Sequence, residues 1–368
     1  MESAMTTRET ANLGFRVARP ISADANPPLV VPSLVPVGEE ANLGDDTNGN
    51  RGAVVYEYQM GTYEITNAEY QAFLNAVAKT DSFYRLYNTK MGTDANGGIM
   101  RFEQNGNFIY TVKPGFAKKP VNFVNVYNAM RFCNWLHNGA QPNGDTEAGA
   151  YRLLGNIPSD TVKLRRNASA RYFLPTEDEW YKAAFYDPSP TGMPTASFWS
   201  YATKSDIASA AMNFGGSYLG PTNIDALPYP SFFKTYGQSG NVAEWTETVV
   251  EQFRIVRGGH YSSNAQGVSS LGKLELDPLT TAANVGFRVA AAPGVASPLE
   301  TVGPSPTPKP DPAPDPVQPS PGGGASPASG GQVQSPKKGK KGPAKKSPAK
   351  AKKSGSKKKA VAKKAKKR

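Results

Sequence analysis

The chain has 368 residues, 42 Lys or Arg against 30 Asp or Glu, and one cysteine, Cys133. A single thiol excludes an intramolecular disulfide, a thiolate zinc cluster and a CxxC redox pair, and no apolar run approaches the roughly 18 residues that would span a bilayer. Charge is segregated: residues 337–368 hold seventeen Lys or Arg and no acid, so the rest is mildly acidic and the basic balance belongs to the C-terminal end alone.

In chain order, Met1–Glu9 lacks the apolar core of a signal peptide. Thr10-Ala11-Asn12-Leu13-Gly14-Phe15-Arg16-Val17-Ala18 nearly repeats Ala282-Ala283-Asn284-Val285-Gly286-Phe287-Arg288-Val289-Ala290. The first copy reads as the closing strand of a preceding domain; the alternative is chance similarity of a short strand. On the first reading residues 1–50 form an irregular N-terminal segment, because a lone strand has no partner.

The body, 51–292, alternates short elements with long Gly/Asn-rich loops. Gly61–Ile65 reads as a strand, and Thr66 with Glu69 forms a capping box, each side chain satisfying an orphan backbone N–H. Tyr70, Phe73, Leu74 and Val77 follow as one apolar stripe. A second helix is expected near Asn125–Leu136, with Ala129, Phe132, Cys133 and Leu136 on one face and Asn138-Gly139 as its stop. A third follows Leu174-Pro175, boxed by Thr176 and Glu179, turning Trp180, Ala183 and Ala184 inward until Asp187-Pro188. Residues 293–334 form a Pro/Gly-rich linker whose Pro304–Pro312 stretch predicts an extended spacer. Residues 335–368 are lysine-rich and carry too little apolar content to fold alone, which predicts disorder.

Seven motifs occur in order: Gly61–Asn67, Lys119-Pro120-Val121-Asn122, Cys133-Asn134-Trp135-Leu136, Leu174-Pro175-Thr176-Glu177, Gly240-Asn241-Val242-Ala243-Glu244-Trp245, Arg257-Gly258-Gly259 and Gly286-Phe287-Arg288-Val289. Together they resemble the sulfatase-modifying-factor family, the formylglycine-generating enzyme and its bacterial relatives, over about residues 54–290. The resemblance implies an α+β, C-type-lectin-like fold with few regular elements and long loops. The Asn88–Tyr110 insertion is similar to a bacterial branch of solitary domains.

The family's oxidase uses two copper-binding cysteines. Aligned from Arg257-Gly258-Gly259, those positions fall on Ser263 and Val268. Cu(I) selects soft thiolates, so a hydroxyl is a poor ligand and valine none. Cys133 lies on an apolar helix face and reads as a core residue. No copper is therefore expected, and the domain reads as a binding or recognition module for an unidentified ligand or protein. The alternative is an oxidoreductase or other enzyme of the same fold using a non-cysteine site. For that alternative the cleft candidates are His260 and Ser263; His137, at a helix end, reads as a surface or capping residue.

The resemblance also implies structural calcium. Gly240 and Val242 would supply carbonyls and Glu244 a carboxylate, although the Asp or Asn usual three positions before Gly240 is Gly237 here. A second site would draw on Asn213, the Phe214 carbonyl and Asp225. The other reading keeps Glu244 as a metal-free brace of its loop.

The lysine-rich end resembles linker-histone tails: Lys337, Lys338, Lys340, Lys341, Lys345, Lys346, Lys352, Lys353, Lys357, Lys358, Lys359, Lys363, Lys364, Lys366, Lys367 and Arg368 alternate with Ala, Ser, Gly and Pro. Without aromatics to stack on bases, such a segment binds nucleic acid or another polyanion through phosphate charge, tolerant of sequence and sensitive to salt. The missing signal and this segment favour the cytoplasm, with export open if a preceding segment carries a signal.

Overall fold

The structure, a computed structural model, describes residues 31–40, 42–80, 84–155, 164–188 and 197–295. Two four-stranded sheets organise it. The first has β1 (Leu34–Val37), β2 (Tyr58–Gly61), β12 (Ala290–Ala291) and β5 (Tyr172–Phe173) in the order β1-β2-β12-β5. The second has β8 (Ala243–Val250), β9 (Phe253–Arg257), β10 (Lys273–Leu276) and β11 (Val285–Phe287) in the order β10-β9-β8-β11, with β11 parallel to β8. The chain between 282 and 291 therefore closes both sheets.

Among the described residues three helices of nine residues or more pack around them: α1 (Asn67–Val77), α3 (Val126–His137) and α4 (Glu177–Phe185). Both capping boxes are present: the Thr66 and Thr176 hydroxyls accept from the Glu69 and Glu179 amides, and each glutamate accepts from its cap residue's amide. Asn125 caps α3, and Gly139, at φ +84°, carries the chain out of it. The α1 and α3 stripes meet the closing segment in one aromatic cluster. Phe287 lies edge-on to Phe132 at 5.4 Å, as does Phe132 to Phe73, the geometry the ring quadrupoles favour.

Burial pushes the Glu69 carboxyl of the first box up to about 7. A folded-state pKa above the unfolded one gives stability that is complete below about pH 4.5 and is lost as pH rises towards 7. The expected slope in that window is roughly −1.4 kcal/mol per pH unit. Urea midpoints measured across it should flatten in Glu69→Gln, which keeps the box.

Three expectations are corrected. The strand expected at Gly61–Ile65 ends at Gly61; beyond it the chain bends so that the Ile65 amide reaches the Phe287 carbonyl at 2.9 Å and Glu64 turns into the core. The segment expected to be irregular up to residue 50 contains β1, paired antiparallel to β2, because the β2 edge offers Leu34–Val37 a ladder. Lys182 of α4 further ties that segment down, donating to the Glu39 and Val54 carbonyls at 2.8 and 3.2 Å. Finally, α4 stops at Phe185 and the chain continues as β6 (Tyr186–Asp187), paired with β7 (Ser197–Phe198). The 88–110 insertion builds α2 (Lys90–Thr93) and the hairpin β3 (Ile99–Gln104) and β4 (Asn107–Val112). The first Thr10–Ala18 copy, the linker from 296 onward and the lysine-rich segment lie outside the described residues.

Candidate functional site

The Gly240–Trp245 motif ends in a buried junction. Glu244 is fully enclosed and holds Arg288 through two bonds, Nε to Oε2 at 2.6 Å and Nη2 to Oε1 at 2.7 Å. The Trp180 indole donates to the same Oε2 at 2.6 Å. The rest of the guanidinium reaches the Gly61 and Tyr236 carbonyls, and Glu64 stands 4.0 Å away. Burial, partly offset by Arg288, raises the Glu64 carboxyl above its usual range. Gly237, at φ +80°, lies against this carboxylate, which fills the space a side chain at 237 would need.

Strand β9 leads into Gly258 and Gly259, at φ +88° and +63°. A Cβ at 259 would run into the Gly267 carbonyl, so the loop closes on itself only with glycine there. Buried Arg257 clamps the far end of the loop, donating to the Ser270 and Gly272 carbonyls at 2.8 and 3.0 Å and to Glu177 through Nε and Nη2. Two clefts flank the loop. One, of about 260 Å³, is lined by residues including Ser263, Asn264, Gln266, Leu271 and Lys273. The other, of about 450 Å³, is lined by Asp45, Thr47, Ser200, Tyr201, Asp206 and Ser269 among others, and shares Gln266 and Leu271 with the first. Hydroxyls and two carboxylates with an exposed leucine make this a face suited to a polar ligand.

Ser263 lines the smaller cleft, but its hydroxyl accepts from the His260 backbone amide at 3.0 Å. The His260 ring meets Ser262 instead, Nδ1 to Oγ at 3.0 Å. The two cleft candidates, His260 and Ser263, therefore do not bond to each other through their side chains, since the tight turn after Gly259 points the Ser263 hydroxyl back at the main chain. Burial lowers the His260 pKa. Val268 is fully buried with Tyr201 and Met212 and lines neither cleft. His137 Nδ1 accepts from the Arg171 amide at 3.0 Å, a local brace. Cys133 is enclosed, and burial pushes its thiol well up, away from thiolate reactivity.

The calcium ligands do not fit. Both Glu244 oxygens are committed to Arg288 and Trp180, so a dication there would displace a buried cation. Asn213 sits beside Asn241, donating to its Oδ1 at 3.0 Å, and its own Oδ1 is buried without a hydrogen-bond partner. Asp225, however, is exposed on Lys118 at 2.6 Å, and the Phe214 carbonyl accepts from Ser217. Even with the Gly240 and Val242 carbonyls, the free Asn213 Oδ1 makes three oxygens, short of the six to eight calcium takes. Among the described residues no group of three His, Cys, Asp or Glu could hold a metal. Adding EDTA or millimolar calcium should accordingly leave the thermal midpoint unchanged; a calcium-dependent rise would restore Asn213, Gly240 and Val242 as ligands.

Sequence reasoning missed the clamp and the second cleft. Arg257 and Arg288 are flanked by glycine and apolar residues in strand context, and a cation in such a setting needs a buried carboxylate; that signal calls for partners without naming them, and the structure supplies Glu177 and Glu244. Asp45, Ser200 and Asp206 carried no such signal.

Residues 29–293 match the family described as the sulfatase-modifying factor enzyme 1-like domain. Three solved structures are similar in fold. Treponema denticola variable protein 1 is 20% identical, with 71% of this chain and 95% of that chain covered and a TM-score of 0.48. CarF is 20% identical, with 72% and 99% covered and a TM-score of 0.47. PvdO from Pseudomonas aeruginosa is 15% identical, with 73% and 100% covered and a TM-score of 0.41. No curated protein sequence matches the chain.

Proposed function

The chain belongs to the sulfatase-modifying factor enzyme 1-like family, and from that premise we propose a recognition module that has given up copper-dependent formylglycine formation and carries a polyanion-binding C-terminal segment. The observation that carries the first half is the fate of the two thiol positions. Val268 is sealed in a small apolar cluster, and the Ser263 hydroxyl serves its own backbone. Neither offers a soft ligand or a redox pair. What remains at the family's loop is the paired cleft around Gln266 and Leu271, rigidly clamped by Arg257. Incubation with Cu(I), oxygen and a cysteine-containing peptide should give no formylglycine by mass spectrometry, and its appearance would overturn this reading.

The second half rests on the seventeen basic residues of 337–368, set apart from an acidic body by a Pro/Gly-rich linker. Neutralising about eight phosphates would give a slope of log K against log salt of about −7. Anisotropy titrations with duplex DNA should show that slope for the full chain and negligible binding for a chain ending at residue 293. Affinity that survives the truncation would move the binding site into the domain.

A further inference from the structure

The two capping boxes are built alike but paired differently. In the second, Glu179 is fully enclosed and Arg166 meets it through two bonds, Nη1 to Oε2 at 2.9 Å and Nη2 to Oε1 at 2.6 Å. The Tyr56 hydroxyl adds a third, to Oε1 at 2.9 Å. In the first box Glu69 is only 8% exposed, and its bonds all fall on Oε2, from the Thr66 amide at 2.7 Å and the Thr66 hydroxyl at 2.6 Å. Among the described residues Glu69 forms no ion pair, and its Oε1 accepts no hydrogen bond. The cap does not require that charge, since a glutamine completes the same box. A buried carboxylate without a cation favours its neutral form, which is the cause of the rise to about 7.

Where the second box has its guanidinium, the first has an opening. Glu69 lines a cleft of about 330 Å³ whose other walls include Pro32, Ala68, Ala117, Ile224 and Tyr63, the last stacked on Tyr236. That volume is within the range of small-molecule sites, about 300–1,000 Å³. Three further charged residues line it. Lys118 and Asp225 neutralise each other at 2.6 Å, and Glu64 turns its carboxylate to Asn241, Gly237 and Arg288. The uncompensated group is therefore Glu69, a nearly buried oxygen facing an apolar space.

We propose that this cleft binds a small organic ammonium, an apolar body carrying one protonated amine. Its N–H groups donate to Glu69 Oε1, the role Arg166 plays in the second box, while the body covers the apolar walls. A bare inorganic ion would leave those walls unfilled, and a neutral molecule would leave the carboxylate unpaired. The site shares no lining residue with the paired clefts beside Gly259, so it stands or falls independently of the function proposed for them.

Phenethylammonium is a suitable probe, with 2-phenylethanol as its neutral counterpart, both titrated by calorimetry into the full chain at about 150 mM salt. At about pH 8 the ammonium should bind saturably and at least roughly tenfold more tightly than the alcohol. Below pH 7 its affinity should fall about tenfold per pH unit, because protonation of Glu69 removes its partner. Across that window Lys118 is held up and Asp225 down by their mutual bond, so neither titrates. The Glu64 carboxyl is also raised, and Glu69→Gln separates the two: it should weaken binding at least roughly tenfold and abolish the pH dependence. Ala68→Leu, which keeps both carboxylates and fills the cleft, should abolish binding. The proposal is overturned by no saturable binding, by equal affinity for the two probes, or by unchanged affinity in either variant. A pH dependence that persists in Glu69→Gln would place the cation on Glu64 and overturn it equally.

Discussion

Glu244→Gln is expected to lower the stability of the domain by about 3–5 kcal/mol, or roughly 10 °C in thermal midpoint. The substitution keeps the shape of the side chain and removes its charge. Arg288 is fully buried, and among the described residues Glu244 is the one carboxylate within bonding distance; Glu64, at 4.0 Å, is beyond it. Breaking one side of a buried pair leaves the other charge enclosed, which costs more than the pair itself contributes. One compensation is available. Glu244 is among the groups that raise the Glu64 carboxyl, so its neutralisation lets Glu64 ionise more readily towards Arg288, and the loss should fall at the lower end of the range. Chemical denaturation measures it directly. A loss under about 1 kcal/mol would mean that the guanidinium draws its compensation from the Gly61 and Tyr236 carbonyls instead.

Arg257→Met is the second large effect, expected at about 2–4 kcal/mol. Its loss strips Glu177 Oε1 of both its bonds and leaves the carboxylate to Arg51, 3.3 Å away and partly exposed. The same substitution unties the Ser270 and Gly272 carbonyls, so hydrogen exchange at 266–272 should quicken more than the global destabilisation explains. Arg257→Lys should not rescue it, because one ammonium cannot serve a carboxylate and two carbonyls in the fork geometry of a guanidinium. Unchanged exchange in that loop would show that the Ser270–Ser200 and Asn48–Ser270 bonds hold it alone.

Local chemistry was legible in the sequence. Thr66, Glu69, Thr176 and Glu179 fix two helix starts through contacts three residues apart, and periodicity placed Phe73 and Phe132 on buried faces. The pairings were not. Leu34–Val37 lies near β2 only because the chain returns over more than twenty residues, and no local pattern encodes that ladder. The same holds for the site. Ser263 and Val268 could be aligned to a motif, yet which atom the Ser263 hydroxyl would face depends on the positive φ values of Gly258 and Gly259. Glu244, in turn, looked like a metal ligand until Arg288, 44 residues away, was seen to occupy both its oxygens.

The closing segment has a consequence for synthesis. With β11 completing one sheet and β12 lying inside the other, neither sheet can be finished until residue 291 has left the ribosome, and the earlier strands wait with open edges. Each residue added afterwards takes about 0.05–0.2 s at 5–20 residues per second, so a trailing segment of some tens of residues lets the domain close while still tethered, before its open edges meet neighbours.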